Sequence, residues 1–587
     1  MLKICQNVKS RQYVHGPALC RYFSDQTLAE TKALAESKPD VCIISQSTLK
    51  KKYRKTSKAK ALRDAVKQRA NSDLSLKMHI PFSKRLKNNI FKRELLKGNW
   101  IELPENVTYT SVPPPNHVQV PTLAHGLEKV LFNPGVHFLQ DPETKLYNFT
   151  SYLENITQPV DFDYDSLQPY ITSSKDTSLV DLARKLQKRY IGSTSSVSAT
   201  LSHFYFVMSN FKLVETSCLS YAFKNESKQF TRGSRTPASI YLRWKDGVYA
   251  VDADKSYDVD ETILSVLGKS LEKVLTSEPD EFEKHLKENS SQLTEEEKNQ
   301  PESYAYGECG KFLLRSQLDC YDPKLPRGTF DLKTRAAMPV RLDIQNYAAS
   351  SAFCLYRSKG LYESFEREYY DMIRSAFLKY SFQVRIGHMD GILVAYHNTS
   401  KIFGFQYISR EEMDSRLFGS SKIGDQVFRN ALVMFESILD RATEKYPQQT
   451  LRLSFDTRKQ SQSNNATTYI FVEAVPDAAA NTEATNTITE NQYDPYDNLT
   501  MYSLQTRSLV NNEAVHGPLH FKNPHIDTWS VHTKIEEMFQ DNYDKKKQRF
   551  IQMRKFQASV FLPSTKQNPL IDLFKRMSQK GLKNETQ

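Results

Sequence analysis

Apolar positions change their spacing along the chain, and each change marks an element. In "ASIYLRW" and "GVYAVDAD" apolar and polar residues alternate, the period of a strand with one buried face. Lys245, Asp246 and Gly247 between them predict a hairpin turn. "TLRLSFD" and "TTYIFVEAV" read as a second strand pair, and "SFQVRIGHMDGILVAYHN" is strand-rich. Elsewhere the apolar residues recur at helical spacing. Helices are expected from near Ser173, with Asp176 or Ser178 as cap, through "VSATLSHFYFVMSNF" and over Glu261 to Thr276. Two more are expected through "LYESFEREYYDMIRSAFLKY" and "SKIGDQVFRNALVMFESILDRATEKY". The serines of "GSTSS", Gly192 to Ser196, read as helix caps, with phosphate binding as the alternative. Ser277 to Glu302 reads as an exposed acidic insertion, and from Pro476 the chain turns polar before a basic, partly helical end. Strands and helices in this order define an α/β protein built on a mixed α+β sheet. No apolar run approaches the length of a membrane span.

The stretch "GKFLLRSQLDCYDPKLPRGTFDLKTRA", Gly310 to Ala336, adds chemistry to this pattern. It reads as two strands joined by a Pro/Gly turn. On the first, Phe312, Leu314, Leu318 and Cys320 oppose Arg315, Gln317 and Asp319; on the second, Phe330, Leu332 and Ala336 oppose Asp331, Lys333 and Arg335. A turn centred near Leu325 and Pro326 sets Asp331 opposite Asp319. Two carboxylates that close repel each other, and a divalent cation between them removes the conflict. Carboxylate oxygens suit Mg²⁺ or Mn²⁺, which also take phosphate oxygens and water. Such an ion activates its bound water and neutralises charge on a phosphate. Lys333 stands on the same face, placed to orient that water or to stabilise that charge. The plain alternative is a solvent-facing hairpin whose acids pair with Arg315, Lys333 and Arg335.

"QLDC" followed by "FDLKT" resembles the D…(D/E)xK signature of the PD-(D/E)XK nuclease superfamily, in particular its RecB-like exonuclease branch. The resemblance implies a restriction-endonuclease-like core with helical additions at both ends: a helix carrying an acid, the motif strands, a helix and a further strand. It implies Asp319, Asp331, Lys333 and Glu272 as the catalytic set, with Glu272, Asp319 and Asp331 holding Mg²⁺ or Mn²⁺. "GKSLE" supplies Gly268 and Glu272 at the branch's spacing, and Glu272 borders the stripe Leu264, Leu267, Leu271, Val274. "IQNY" offers Gln345 and Tyr347 as a loose counterpart of a downstream Gln–Tyr element, with a departing spacing. Leu318 stands where the signature's Pro would precede the first Asp. Arg315, Gln317, Arg335 and Gln345 are the candidates for gripping substrate.

A wider match, most specific from Thr231 to Arg341, includes "PASIYLRWKDGVYAVDADK" and "LGKSLEKVL". Over this region the chain resembles a fungal mitochondrial RNA-processing family of the same superfamily. That family is linked to 5′-end processing and turnover of mitochondrial transcripts. The resemblance implies mitochondrial RNA as substrate, a mitochondrial exoribonuclease or RNA polymerase as partner, and peripheral contact with the inner membrane.

Charge agrees with a polyanionic partner: the 587-residue chain carries a formal net charge of +12. The first 23 residues are basic and hold no acid, as in a mitochondrial targeting presequence, and "RYFS" resembles a matrix-protease cleavage site. Residues 24–100 form a basic arm suited to phosphates or acidic lipid heads, or else a solvated linker. Residues 101–192 read as an accessory region, 193–475 as the nuclease-like core, and 476–587 as a polar linker with a basic tail. Seven cysteines without a CxxC pair indicate a reducing compartment and no zinc site. Three lookalikes carry nothing. "LGKS" lacks the first Gly of a Walker A loop, "GHMD" lacks a third ligand, and Cys320 falls on the apolar face. Three functions stay open: a Mg²⁺-dependent (exo)ribonuclease, a non-catalytic RNA-binding regulator of a partner enzyme, and a DNA-directed exonuclease.

Overall fold

The computed structural model describes residues 90–91, 98–254, 256, 263–298, 300–460, 465–476, 498–561 and 569–585. The expected presequence, nearly all of the basic arm and most of the polar linker lie outside the described residues.

Among the described residues, two sheets form the framework, one of twelve strands and one of five. In the larger sheet, Leu499–Val510, Ala466–Ala474, Leu451–Lys459, Ala238–Lys245 and Val248–Ala253 are successive antiparallel neighbours. Tyr190–Ser193 then runs parallel to both Val248–Ala253 and Phe312–Gln317. Tyr304–Cys309 and Thr110–Val112 complete that side, and Trp529–Glu537 with Ile101–Glu102 completes the other. The smaller sheet runs in the order Val136–Phe138, Ile402–Ser409, Gly391–His397, Thr329–Ala336, Cys320–Tyr321. Its parallel pair, Thr329–Ala336 with Gly391–His397, is connected through the helices Phe365–Ser375 and Phe377–Ile386. Helix Ile263–Thr276, the strands up to Thr329–Ala336, these two helices and Gly391–His397 therefore follow one another in the order the superfamily resemblance implies.

Local chemistry explains the helix starts. The Asp176 side chain accepts from the Leu179 N–H at 3.0 Å and caps Thr177–Lys185. Ser193 and Ser196 form a capping box at the head of Thr194–Ser209, and Ser420 caps Ser421–Lys445. Thr194–Ser209 is buried almost all round, which its continuous apolar sequence requires. At the Lys245–Val248 turn, Asp246 and Gly247 take φ of 46° and 100°, the left-handed pair that a two-residue hairpin needs.

Four expectations need correction. Gly310 to Ala336 is not one hairpin: Phe312–Gln317 lies in the large sheet, whereas Cys320–Tyr321 pairs with Thr329–Phe330 in the small one. Both faces of Phe312–Ser316 are buried, so its polar side is internal. The helix expected to end near Tyr380 breaks at Ala376 (φ −125°, ψ −37°) and resumes to Ile386, through residues read as strand. The insertion Ser277–Glu302 packs Phe282 and His285 against Phe162 instead of standing free. Past residue 476, Leu499–Val510 and Trp529–Glu537 are long paired strands of the large sheet. Their polar residues hid them, because neighbouring strands satisfy much of what a composition reading assigns to solvent.

Gly268 lies on the helix that faces Thr334. A β-carbon there would meet Thr334 Oγ1 at 3.8 Å, an ordinary contact. Gly268→Ala is therefore expected to raise stability by about 0.5–1 kcal/mol, because alanine gives up less chain entropy in a helix. A urea titration checks this; a lowered midpoint would mean that helix and strand need the glycine's closeness.

Candidate carboxylate–lysine site

Two structural features assemble the site. The first is the docking of Ile263–Thr276, which packs Leu267, Leu271, Val274 and Leu275 among Phe330, Leu332, Leu393 and Phe405. With that stripe fixed, Glu272 comes within the electrostatic reach of Asp331 and Lys333. The second is the crossing of the chain between sheets. Leu318 N–H still donates to Ser303 O at 2.9 Å, and Cys320 is already paired with Phe330. Asp319 sits at that crossing. Its Oδ2 accepts from the Leu332 N–H at 2.8 Å, which fixes the carboxylate beside Asp331.

Asp331 is 6 % exposed, and Lys333 Nζ lies 2.6 Å from its Oδ2. This buried oxygen is charge-paired with Lys333, and the Asp331 carboxylate also lies within hydrogen-bonding reach of Asp319. The ammonium also lies 5.5 Å from the centre of the Tyr380 ring. Burial pushes Asp319 well above the usual carboxylate range, with Asp331 and then Glu272 adding to the rise. Burial also lifts Glu272 to about 7; Lys333 opposes that rise, and Asp331 and Glu302 reinforce it. Burial works against the charge on Lys333, but Asp331, Asp319 and Glu272 outweigh it and hold the amine above its ordinary value. The cluster thus has three acids and one cation, and is short of positive charge.

By chemical type the donors suit a hard divalent ion: the carboxylates of buried Asp331 and half-buried Asp319 and Glu272. Among the described residues no group of three or more His, Cys, Asp or Glu is placed so that it could hold a metal ion. The contact of Lys333 with Asp331 occupies part of the space beside that carboxylate.

The other candidates separate. Arg315 is 2 % exposed and committed internally: it pairs with Asp176, donates to Ile171 O at 2.7 Å and stacks 4.3 Å from the Tyr304 ring centre. Gln317 donates to Glu302 Oε2 at 3.0 Å. Arg335 is buried, with Nε 3.4 Å from Glu368 Oε2, and its Nη2 has no hydrogen-bond partner. Burial and the neighbouring Arg341 lower its hold on its proton. Gln345 stands exposed on the 3₁₀ segment Ile344–Ser350, outside the buried cluster, with Tyr347 half-buried on the same segment. His388 of "GHMD" stacks on Tyr109 at 4.9 Å, and Cys320 is fully buried in the apolar core. Sequence reasoning missed Glu302, Tyr380 and Glu368. Their helix, strand and loop assignments were visible, but nothing local tied them to residues 315–335.

The raised Glu272 makes a pH prediction. An acid that ionises near 7 when folded and near 4.5 when unfolded loses stability as pH rises between those values; below 4.5 nothing is lost, and above 7 the full loss applies. In EDTA, Glu272→Gln is expected to match wild type near pH 4 and to exceed it at pH 8 by on the order of 3 kcal/mol. Urea unfolding across pH measures it; a pH-independent difference would mean that Glu272 is solvated.

The structure is a mixed α/β fold in which a D…DxK strand pair, an upstream helical Glu and the helix–strands–helix–strand order stand as the PD-(D/E)XK resemblance implies. Residues 170–440 match the family model described as Mitochondrial protein Pet127. The mRNA degradation protein pet127, mitochondrial, of Schizosaccharomyces pombe is 40% identical over 342 residues, covering 57% of this chain and 65% of that protein. The putative mitochondrial translation system component PET127 of Saccharomyces cerevisiae is 40% identical over 315 residues, covering 50% of this chain and 37% of that protein. The chain thus spans less than two thirds of the length of these curated relatives. Among solved structures, Scheffersomyces stipitis Rai1 in complex with (3′-NADP)+ and calcium ion aligns with a TM-score of 0.29 and 10% identity, over 60% of this chain and 85% of that one. Candida albicans Rai1 in complex with pU5-Mn2+ aligns with a TM-score of 0.29 and 12% identity, over 65% and 94%.

Proposed function

We propose that this protein is a mitochondrial RNA-processing and RNA-degradation factor that hydrolyses phosphodiester bonds at the Glu272, Asp319, Asp331 and Lys333 cluster. The carrying observation is the convergence of these four side chains, separated in sequence, into one mutually interacting group around buried Asp331. The names of the relatives support mitochondrial transcripts as the substrate, and the matrix, with peripheral inner-membrane contact, is the site of action proposed with it. Asp319 and Asp331, with Glu272 completing or assisting, would hold Mg²⁺ or Mn²⁺, which supplies an activated water and neutralises phosphate charge when bound. Asp331, Asp319 and Glu272 hold the Lys333 amine above its ordinary value, which favours a role as a donor that orients water or a phosphate oxygen. Arg335, with Nη2 lacking a hydrogen bond two residues further along the strand, is the cation best placed to take a neighbouring phosphate. The test is shortening of end-labelled RNA by the purified chain in Mg²⁺, without any partner enzyme.

The contact of Lys333 with Asp331 favours a second reading. The same face then binds RNA without cutting it, and stimulates a mitochondrial exoribonuclease or RNA polymerase. Uncut RNA in the partner-free assay, with stimulation when the partner is added, selects this reading.

A further inference from the structure

A cleft of about 270 Å³ lies beside the strand that leads to Asp319, lined in part by Pro114, Pro169, Tyr304, Glu302, Arg315 and Asp176. Glu302 links the cleft to the carboxylate cluster. It accepts from Gln317, two residues before Asp319, and its charge reaches Glu272. Arg315 and Asp319 are four residues apart, no more than about 13 Å even if fully extended, so a strand held at the cluster can set a neighbouring base into the cleft.

The lining decides what kind of group fits. Arg315 is the one cation among the described lining residues, and it is committed to Asp176 and Ile171 O. A phosphate therefore finds no free positive charge there. Proline and tyrosine surfaces favour a flat uncharged ring, and the exposed Glu302 carboxylate favours a ring with N–H donors along its edge. The volume lies just under the roughly 300–1,000 Å³ of small-molecule sites, enough for one base and too small for a duplex end. Guanine presents two adjacent N–H donors to one carboxylate; adenine, cytosine and uracil do not.

We infer that this cleft is a base subsite that receives guanine from an RNA strand bound at the carboxylate cluster, with Glu302 accepting from the base edge. The inference rests on the proposed RNA substrate but not on cleavage. It is tested by titrating the full chain, with Ca²⁺ in place of Mg²⁺, with GMP, AMP, CMP and UMP, and with RNA pentamers that differ only in carrying one guanine or one adenine. GMP and the guanine pentamer are expected to bind about fivefold or more tighter than their counterparts. Glu302→Gln, at an exposed position that leaves the fold intact, is expected to erase the preference. Equal affinities, or a preference that survives Glu302→Gln, overturn the subsite. A preference for GMP without one for the guanine pentamer overturns its placement on a strand. RNA left uncut in the partner-free assay would sink the hydrolase and leave this result standing, whereas cut RNA without base preference would sink the subsite alone.

Discussion

Purified Asp331→Ala protein is expected to leave labelled RNA intact where the wild-type chain shortens it, a loss of about 100-fold or more. Even groups that only support a metal ligand cost about 10–100-fold when removed. Asp331 is central to the cluster: it is buried, contacts Lys333 and raises both other acids. Removing it should not unfold the chain. Lys333 retains Asp319 and Glu272 as counter-charges, and the repulsion among the acids falls. The check is the shortening rate beside the far-UV melting curve. Equal rates for the two proteins would place the chemistry elsewhere or in a partner.

Arg315→Ala is expected to cost about 3–5 kcal/mol of folding stability, because it leaves Asp176 buried without its cation. The loss spreads further. Ile171 O loses its donor, Tyr304 loses the stacked guanidinium, and Asp176 also caps Thr177–Lys185. Arg315→Met combined with Asp176→Asn should recover part of the loss, since the desolvated pair is then removed together and Asn still caps. Urea unfolding of the three proteins decides. A cost below about 1 kcal/mol for Arg315→Ala would mean a solvated side chain available to substrate.

These two arginine and aspartate positions show how far the sequence could be read. The alternation in "FDLKT" and the turn at Leu325–Pro326 are local, and they placed Asp331 opposite Asp319; the observed pairing of Cys320 with Phe330 has that register. The spacing of "GKSLE" set Glu272 beside an apolar stripe, and the packing of that stripe brings it to the pair. Arg315 had the same alternation as Asp319 and looked like its companion. The difference between them is the departure of the chain from one sheet to the other after Gln317, and no local pattern encodes it.

By itself, the sequence determined many of the element types, the helix caps at Asp176 and Ser193, the facing acids and the net positive charge, because local patterns set each of them. Only the tertiary structure decided which sheet each strand joins, that Arg315 turns inward to Asp176, that Leu499–Val510 and Trp529–Glu537 complete the large sheet, and that Glu302 borders a cleft. Those outcomes depend on contacts between segments distant in the chain, where burial and charge pairing override local preference.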